Sequence, residues 1–361
     1  MRSSWRPETV HLLKRVVLHV GPPKTGTSIL QYTLAENRER LVEQSTLYPS
    51  IRPGENSRWN PRVGDPTGVK HDYLLLLALE DPQDMLVYRR HGLTEPELTE
   101  LRCECLSSLE TELAGFSGDT LVLSSESFGN LAVNPTTHMA EIADYAQSLA
   151  DEVVVVVYAR HPIAMARSRQ QQMLKSGLNT LDQLDTPWVY PYGRALEVLW
   201  RLFGRSSVHV VAYERDVNKS FDTVASFADV VGIDVTGFER PPRRGNASLS
   251  MEGALLADAL AREFPQPDAM AGNQHPGRAR VGWTTRIAGA PFRLSPDTEE
   301  QVMARSADDL KMLAEEYGII FHELVDEETP LWGPEAIRSI ATMINQLAKR
   351  SERAPRSAQP L

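Results

Sequence analysis

The chain has 361 residues, 42% of them hydrophobic and 24% charged, with a formal net charge of −10. That length holds one large domain or two small ones. The acidic balance excludes a broad nucleic-acid surface but leaves room for a local cationic pocket. No apolar run approaches the roughly 20 residues of a membrane span. Met1 to Arg15 lacks the apolar stretch and cleavage site of a secretory signal, so a cytoplasmic protein is expected. Cys103 and Cys105 stand one residue apart, poorly placed to bridge each other, and make no obvious zinc site. The histidines are scattered, and no metal is expected.

Val16 to Val20 is apolar and β-branched and reads as a buried strand. A Gly/Pro-rich turn follows. A helix is expected from Ser28 to about Leu41, with Leu30, Leu34 and Leu41 at helical spacing. Tyr48 to Lys70, rich in Pro, Gly, Asn and Arg, reads as a long surface loop. Leu74 to Leu79 reads as a buried helical piece, and Glu95 to about Leu113 as a charged amphipathic helix. Thr120 to Ser124 is a second strand, Thr137 to Leu149 a helix, and Val153 to Tyr158 a continuous apolar strand. Ala164 to Ser176 is a helix stopped by Gly177. Val208 to Ala212 is another strand, with a helix near Phe221 to Val231. This alternation implies an α/β fold with a parallel sheet covered on both faces.

Beyond Gly245 helices are expected near Met251 to Phe264 and Asp297 to Tyr317. Between them, 265–296 carries several prolines and glycines and reads as a lid-like loop or disorder. Ser295-Pro296 makes a helix start. The expected organisation is one domain over 15–349. Its α/β core covers 15–245 and a mainly helical portion 246–349, with an arm at 1–14 and a disordered tail at 350–361. No internal repeat is present.

Strand, glycine loop and helix start, in that order, build an anion site, because free backbone N–H groups and the positive helix end converge there. Gly21 and Gly26 keep the spacing of a Walker A loop, and Ser28 holds its final hydroxyl. Thr27 stands where the NTPase lysine belongs, and the lysine sits three residues earlier, as Lys24. Pro23-Lys24-Thr25-Gly26-Thr27-Ser28 resembles the 5′-phosphosulfate loop of sulfotransferases, which use 3′-phosphoadenosine-5′-phosphosulfate (PAPS). Three further segments fit that resemblance. The strand ending in Arg160, with Ser168 in the following helix, resembles the family's 3′-phosphate site. A guanidinium at the carboxyl end of a parallel strand can fork onto a phosphate there. Val210-Val211-Ala212-Tyr213-Glu214 resembles the strand that lines the adenosine pocket, with Tyr213 stacking on or bonding to adenine and Glu214 structural. Arg243-Arg244-Gly245 resembles a basic turn against the 3′-phosphate. Its continuation, Asn246-Ala247-Ser248, departs from the Gly-Asp-Trp of cytosolic members and suggests a bacterial or carbohydrate-type branch.

The resemblance implies a P-loop-like parallel sheet flanked by helices. It implies in-line transfer of a sulfuryl group from PAPS to a hydroxyl or amine of a small-molecule, sugar or lipid acceptor, without metal. Lys24 is then the candidate at the oxygen bridging sulfur and phosphorus, where charge builds. The N–H groups of Thr25 to Ser28 and the hydroxyls of Thr27 and Ser28 would cradle the 5′-phosphate. A hydroxyl acceptor needs a general base. Glu126, at a strand's carboxyl end, is the first candidate and His71 the second, with Glu36, Glu43 and Glu55 behind them. Acceptor contacts are expected from Arg52, Arg58, Trp59 and Arg62, and from Arg278, Arg280, Trp283 and Arg286. Two other readings remain open: a P-loop small-molecule kinase using ATP and Mg²⁺, and a non-catalytic nucleotide-binding protein.

Overall fold

In a computed structural model of the chain, the described residues are 13–54, 56–59, 67–82, 92–134, 138–177, 179–184, 187–214, 218, 220–241, 248–263, 282–322, 324 and 331–353. Leu13–Val20 forms β1, and its inner residues Val16, Val17, Leu18 and Val20 are fully buried. After a turn come α1 (Thr27–Glu36), α2 (Arg38–Glu43) and the two-residue edge strand β2 (Thr46–Leu47). The elements α3 (Leu74–Ala78), α4 (Glu95–Ala114), β3 (Thr120–Ser125), α5 (Glu126–Val133), α6 (His138–Leu149) and β4 (Ala150–Arg160) follow. Next are α7 (Pro162–Lys175), α8 (Leu181–Leu184), α9 (Tyr192–Phe203), β5 (Val208–Tyr213) and α10 (Thr223–Val231). The remaining helices are α11 (Met251–Glu263), α12 (Pro296–Tyr317) and α13 (Pro334–Arg353).

The five strands form one parallel sheet in the order β2-β3-β1-β4-β5. Val20 lies level with Ser125 on one side and Val157 on the other, and Arg160 lies level with Tyr213. The carboxyl ends of β3, β1, β4 and β5 therefore open at one edge. The chain leaves β1 toward β3 and later returns to β4 on the opposite side. Such a reversal of strand order opens a crevice at the carboxyl ends, where α/β sheets bind ligands. One face of the sheet is covered by α1 and α10, whose Leu30, Leu34, Val224 and Phe227 are fully buried against Val17, Val122 and Val156. Each such side chain contributes roughly 1.5–3 kcal/mol relative to exposure.

Several local expectations change. The helix expected to run to Leu41 breaks at Asn37, between α1 and α2. The Asn37 amide donates to Thr33 O (2.7 Å) and Glu239 O (2.9 Å) and accepts from Glu239 N (2.9 Å), so side-chain bonds compete with the helical ladder. The described part of 48–70 is no mere surface loop. Tyr48, Ile51, Trp59 and Val69 are buried, the Tyr48 hydroxyl donates to Val69 O (2.7 Å), and Arg38 donates to Tyr48 O and Gly68 O. Of the expected lid, 265–281 lies outside the described residues. The rest is anchored: Ile287, Ala290 and Phe292 are buried, and Met251 N donates to Ala290 O (2.7 Å). The Glu252 carboxylate accepts from Ala290 N and Trp332 N, at 2.9 and 2.8 Å. Two backbone donors satisfy this fully buried acid. Helix α13 carries ordered structure to Arg353, into the expected tail.

The chain groups into two compact units. One comprises 1–165, 189–244 and 303–323 and holds the sheet. The other comprises 166–188, 245–302 and 324–361 and holds α11 with the anchored segment around Ala290.

Candidate functional site

The crevice at the end of β1 is built by its loop. A Cβ on Gly21 would lie 2.5 Å from Thr27 Oγ1, so any larger residue there would have to displace that side chain. Thr25 Oγ1 donates to Pro22 O (2.8 Å) and closes the turn. Lys24 sits at φ +71° and Gly26 at φ +81°. Gly26 meets two restrictions, because a Cβ would also fall 2.9 Å from Thr223 Oγ1 and 3.1 Å from the Tyr213 ring. Helix α1 starts at Thr27 with no acidic residue in its first turn and no side-chain cap. Its N–H groups and positive end are thus left for an anion.

Two cations and a carboxylate frame this helix end. Arg160, the last residue of β4, donates from its guanidinium to Lys24 O (2.6 Å) and lies 5.2 Å above the Tyr213 ring. The Arg160 N–H donates to the Tyr192 hydroxyl (2.9 Å). Tyr192 is placed in turn by the Asp309 carboxylate, which accepts from Tyr192 N (2.8 Å) and Gly193 N (2.9 Å) at the start of α9. Burial lowers the pKa of Lys24; the Glu126 charge opposes that shift and Arg160 adds to it. Glu126 opens α5 directly after β3. Its side chain reaches solvent, yet protein crowds the carboxyl. Desolvation is the largest influence and raises its pKa; Lys70 lowers it, Asp72 raises it and Lys24 lowers it. Asp72 is itself held by Ser125 Oγ (2.6 Å).

The geometry sorts the remaining candidates. Thr27 is buried, and its hydroxyl lies beside Gly21 with no hydrogen-bond partner among the described residues. Pro23 and Ser28 are half-buried on the loop and first turn. Tyr213 is buried, edge-on to Phe221 at 5.5 Å, and floors the loop beneath Arg160. Glu214 is exposed. His71 is fully buried: its Nδ1 accepts from Ser124 N (2.9 Å) and its Nε2 donates to Pro49 O (2.8 Å). Both ring nitrogens are spent on backbone, so His71 braces the edge of β3 and has no basic nitrogen for an acceptor.

Glu36 and Glu43 are exposed at the far ends of α1 and α2. At about 1.5 Å per residue, Glu36 stands about 13 Å along α1 from its start. Glu55, Arg62, Arg243, Arg244, Gly245, Arg278 and Arg280 lie outside the described residues. Ser168 is half-buried on α7 within the second unit. Arg58 pairs with Glu100 and stacks on Trp59 at 4.3 Å, a structural use of both side chains. Arg52 borders a groove of about 630 Å³ with Cys103, Glu104 and Glu112. Trp283 is half-buried and Arg286 exposed.

Sequence reasoning missed Lys70 and Asp72, which flank His71. Lone charges after a polar stretch carry no periodic signal. It also missed Tyr192 and Asp309, whose roles depend on contacts between distant segments. Among the described residues no group of three His, Cys, Asp or Glu could hold a metal, and no helix is long and apolar enough to cross a membrane.

No protein-family model and no curated protein matches the chain. Among solved structures, a sulfotransferase from Alicyclobacillus acidocaldarius is similar over 84% of this chain and 96% of its own, at 14% identity and a TM-score of 0.40. The sulfotransferase domain from the curacin biosynthetic pathway is similar over 93% and 99%, at 14% identity and a TM-score of 0.34. A retinol dehydratase, solved with androsterone and the inactive cofactor PAP, is similar over 96% and 82%, at 14% identity and a TM-score of 0.22.

Proposed function

We propose that the chain is a sulfotransferase taking a sulfuryl group from PAPS to a hydroxyl or amine of a small acceptor. The observation that carries this reading is the meeting of Lys24, Arg160 and Glu126 around an uncapped helix start, on a loop that places its lysine in the left-handed region. A non-glycine residue held at positive φ costs of order 1–3 kcal/mol, and such strain clusters at functional sites. The donor set suits a phosphosulfate: backbone N–H groups, one lysine and one arginine, all donors and none an acceptor. A Walker loop for ATP would need a lysine where Thr27 stands, and Thr27 is buried.

In this reading the start of α1 and the Ser28 hydroxyl bind the 5′-phosphate. Lys24 stabilises the charge that builds on the leaving oxygen as the acceptor oxygen bonds to sulfur and the old sulfur–oxygen bond breaks. Glu126 takes the acceptor's proton. Its raised pKa makes it a better base than an ordinary carboxylate near neutral pH. Arg160 meets the 3′-phosphate while its bond to Lys24 O steadies the loop. Calorimetric titration with adenosine 3′,5′-bisphosphate (PAP), in parallel with ATP and Mg²⁺, tests the reading. Tight PAP binding that weakens in Arg160→Ala supports it. Binding of ATP alone moves the protein to the kinase class. PAP binding without transfer to any acceptor leaves a nucleotide-binding protein.

A further inference from the structure

The second unit treats three of its arginines differently. Arg167 gives Glu299 two bonds, from Nε at 2.8 Å and from a terminal nitrogen at 2.5 Å. Arg262 is gripped by Asp258 (2.9 Å) and by Asp182. Arg169, two residues after Arg167 on α7, has no such partner among the described residues. Its guanidinium carbon lies 4.3 Å from the centroid of the Trp188 ring, and the side chain is half-buried. Among the described residues no carboxylate, carbonyl or hydroxyl bonds to it. Burial pulls its pKa down.

A cation that gives up hydration without gaining an acceptor is destabilising, so such a group has reason to persist where a ligand completes it. Stacking on the indole covers one face of the guanidinium and fixes its plane. The N–H donors lie in that plane, where they match the two oxygens of a carboxylate, sulfate or phosphate. We propose that Arg169, braced by Trp188, is an oxoanion-binding site for a small molecule bearing a carboxylate, sulfate or phosphate group. The site stands on its own geometry and does not require the PAPS reading.

The test labels the chain with 5-fluorotryptophan and follows its six tryptophans by ¹⁹F NMR, with the Trp188 resonance assigned from Trp188→Phe. Sodium sulfate, phosphate and acetate are titrated against sodium chloride at matched ionic strength. The expected result is a saturable shift of the Trp188 resonance with the oxoanions and not with chloride. Affinity should fall about tenfold or more in Arg169→Met, which keeps the stem against the indole, and less in Arg169→Lys. Repeating the sulfate titration with saturating PAP separates two sources. A response that persists assigns the anion to a second molecule, and a response that is lost assigns it to the nucleotide. A Trp188 signal that no oxoanion moves, or that moves equally in a folded Arg169→Met protein, overturns the proposal. Failure of the PAPS reading shows separately, as absence of PAP binding by calorimetry.

Discussion

Lys24 and Gly26 both sit in the left-handed region, two residues apart, for different reasons. Gly26 is there because nothing larger fits against Thr223 and Tyr213. Gly26→Ala should cost at least about 1–2 kcal/mol from backbone strain alone, and chemical denaturation with an unchanged m-value would register it. Lys24 has a side chain and is held all the same, by a bond from Arg160 to its carbonyl. Under the proposed function, Lys24→Ala should lower kcat by about 10²–10³ with the fold intact, as loss of a charge-stabilising donor does. A Lys24→Ala enzyme with normal turnover would remove that role. Glu126→Gln should lower kcat by about 10²–10⁴. In the wild type the acid limb of the kcat/KM profile should fall at a pH above the ordinary carboxylate range, because burial raises the pKa of this base, which works only when deprotonated. Glu126→Gln should lose that limb.

At the scale of elements, β1 carries a second titratable group. His19 is fully buried, bonded at Nδ1 to Ser124 Oγ (2.8 Å), and burial pushes its pKa down to about 3. The unfolded chain binds a proton near pH 6.5 that the folded chain refuses. This group's full contribution to stability is therefore present above pH 6.5 and is lost progressively as the pH falls toward 3. The slope approaches about 1.4 kcal/mol per pH unit. Urea titrations across that window should show the slope in the wild type and a shallower one in His19→Gln.

The strands were legible because Val16 to Val20 and Val153 to Tyr158 are continuous apolar runs, the mark of a parallel sheet buried on both faces. Helix α5 was not expected: the strand reads as ending at Ser124 with Glu126 just beyond it, and the eight residues Glu126–Val133 are too few to show a clear period. The break at Asn37 was invisible because its partner, Glu239, is remote in sequence. The loop at Lys24 was legible from local spacing. The bracing of His71 was not, since it depends on Pro49 and Ser124.

For the whole molecule, ligand linkage offers a measurement that needs no acceptor. PAP at 100 times its dissociation constant should stabilise the native state by about 2.7 kcal/mol, read as a rise in melting temperature that depends on PAP concentration and is reduced in Arg160→Ala. A concentration-independent melting temperature would count against the nucleotide site. The order of strands has a further consequence, in time rather than in energy. β1 is made first yet lies in the middle of the sheet, and its neighbours begin at Thr120 and Ala150. At about 5–20 residues per second, a ribosome needs roughly 5–30 s to supply them. Through that interval an apolar strand has emerged with both edges unpaired, and its pairing is of the long-range kind that folds slowly. Nascent chains stalled before Thr120 should therefore bind holdase chaperones or aggregate, while chains stalled well beyond Tyr213 should resist proteolysis across β1.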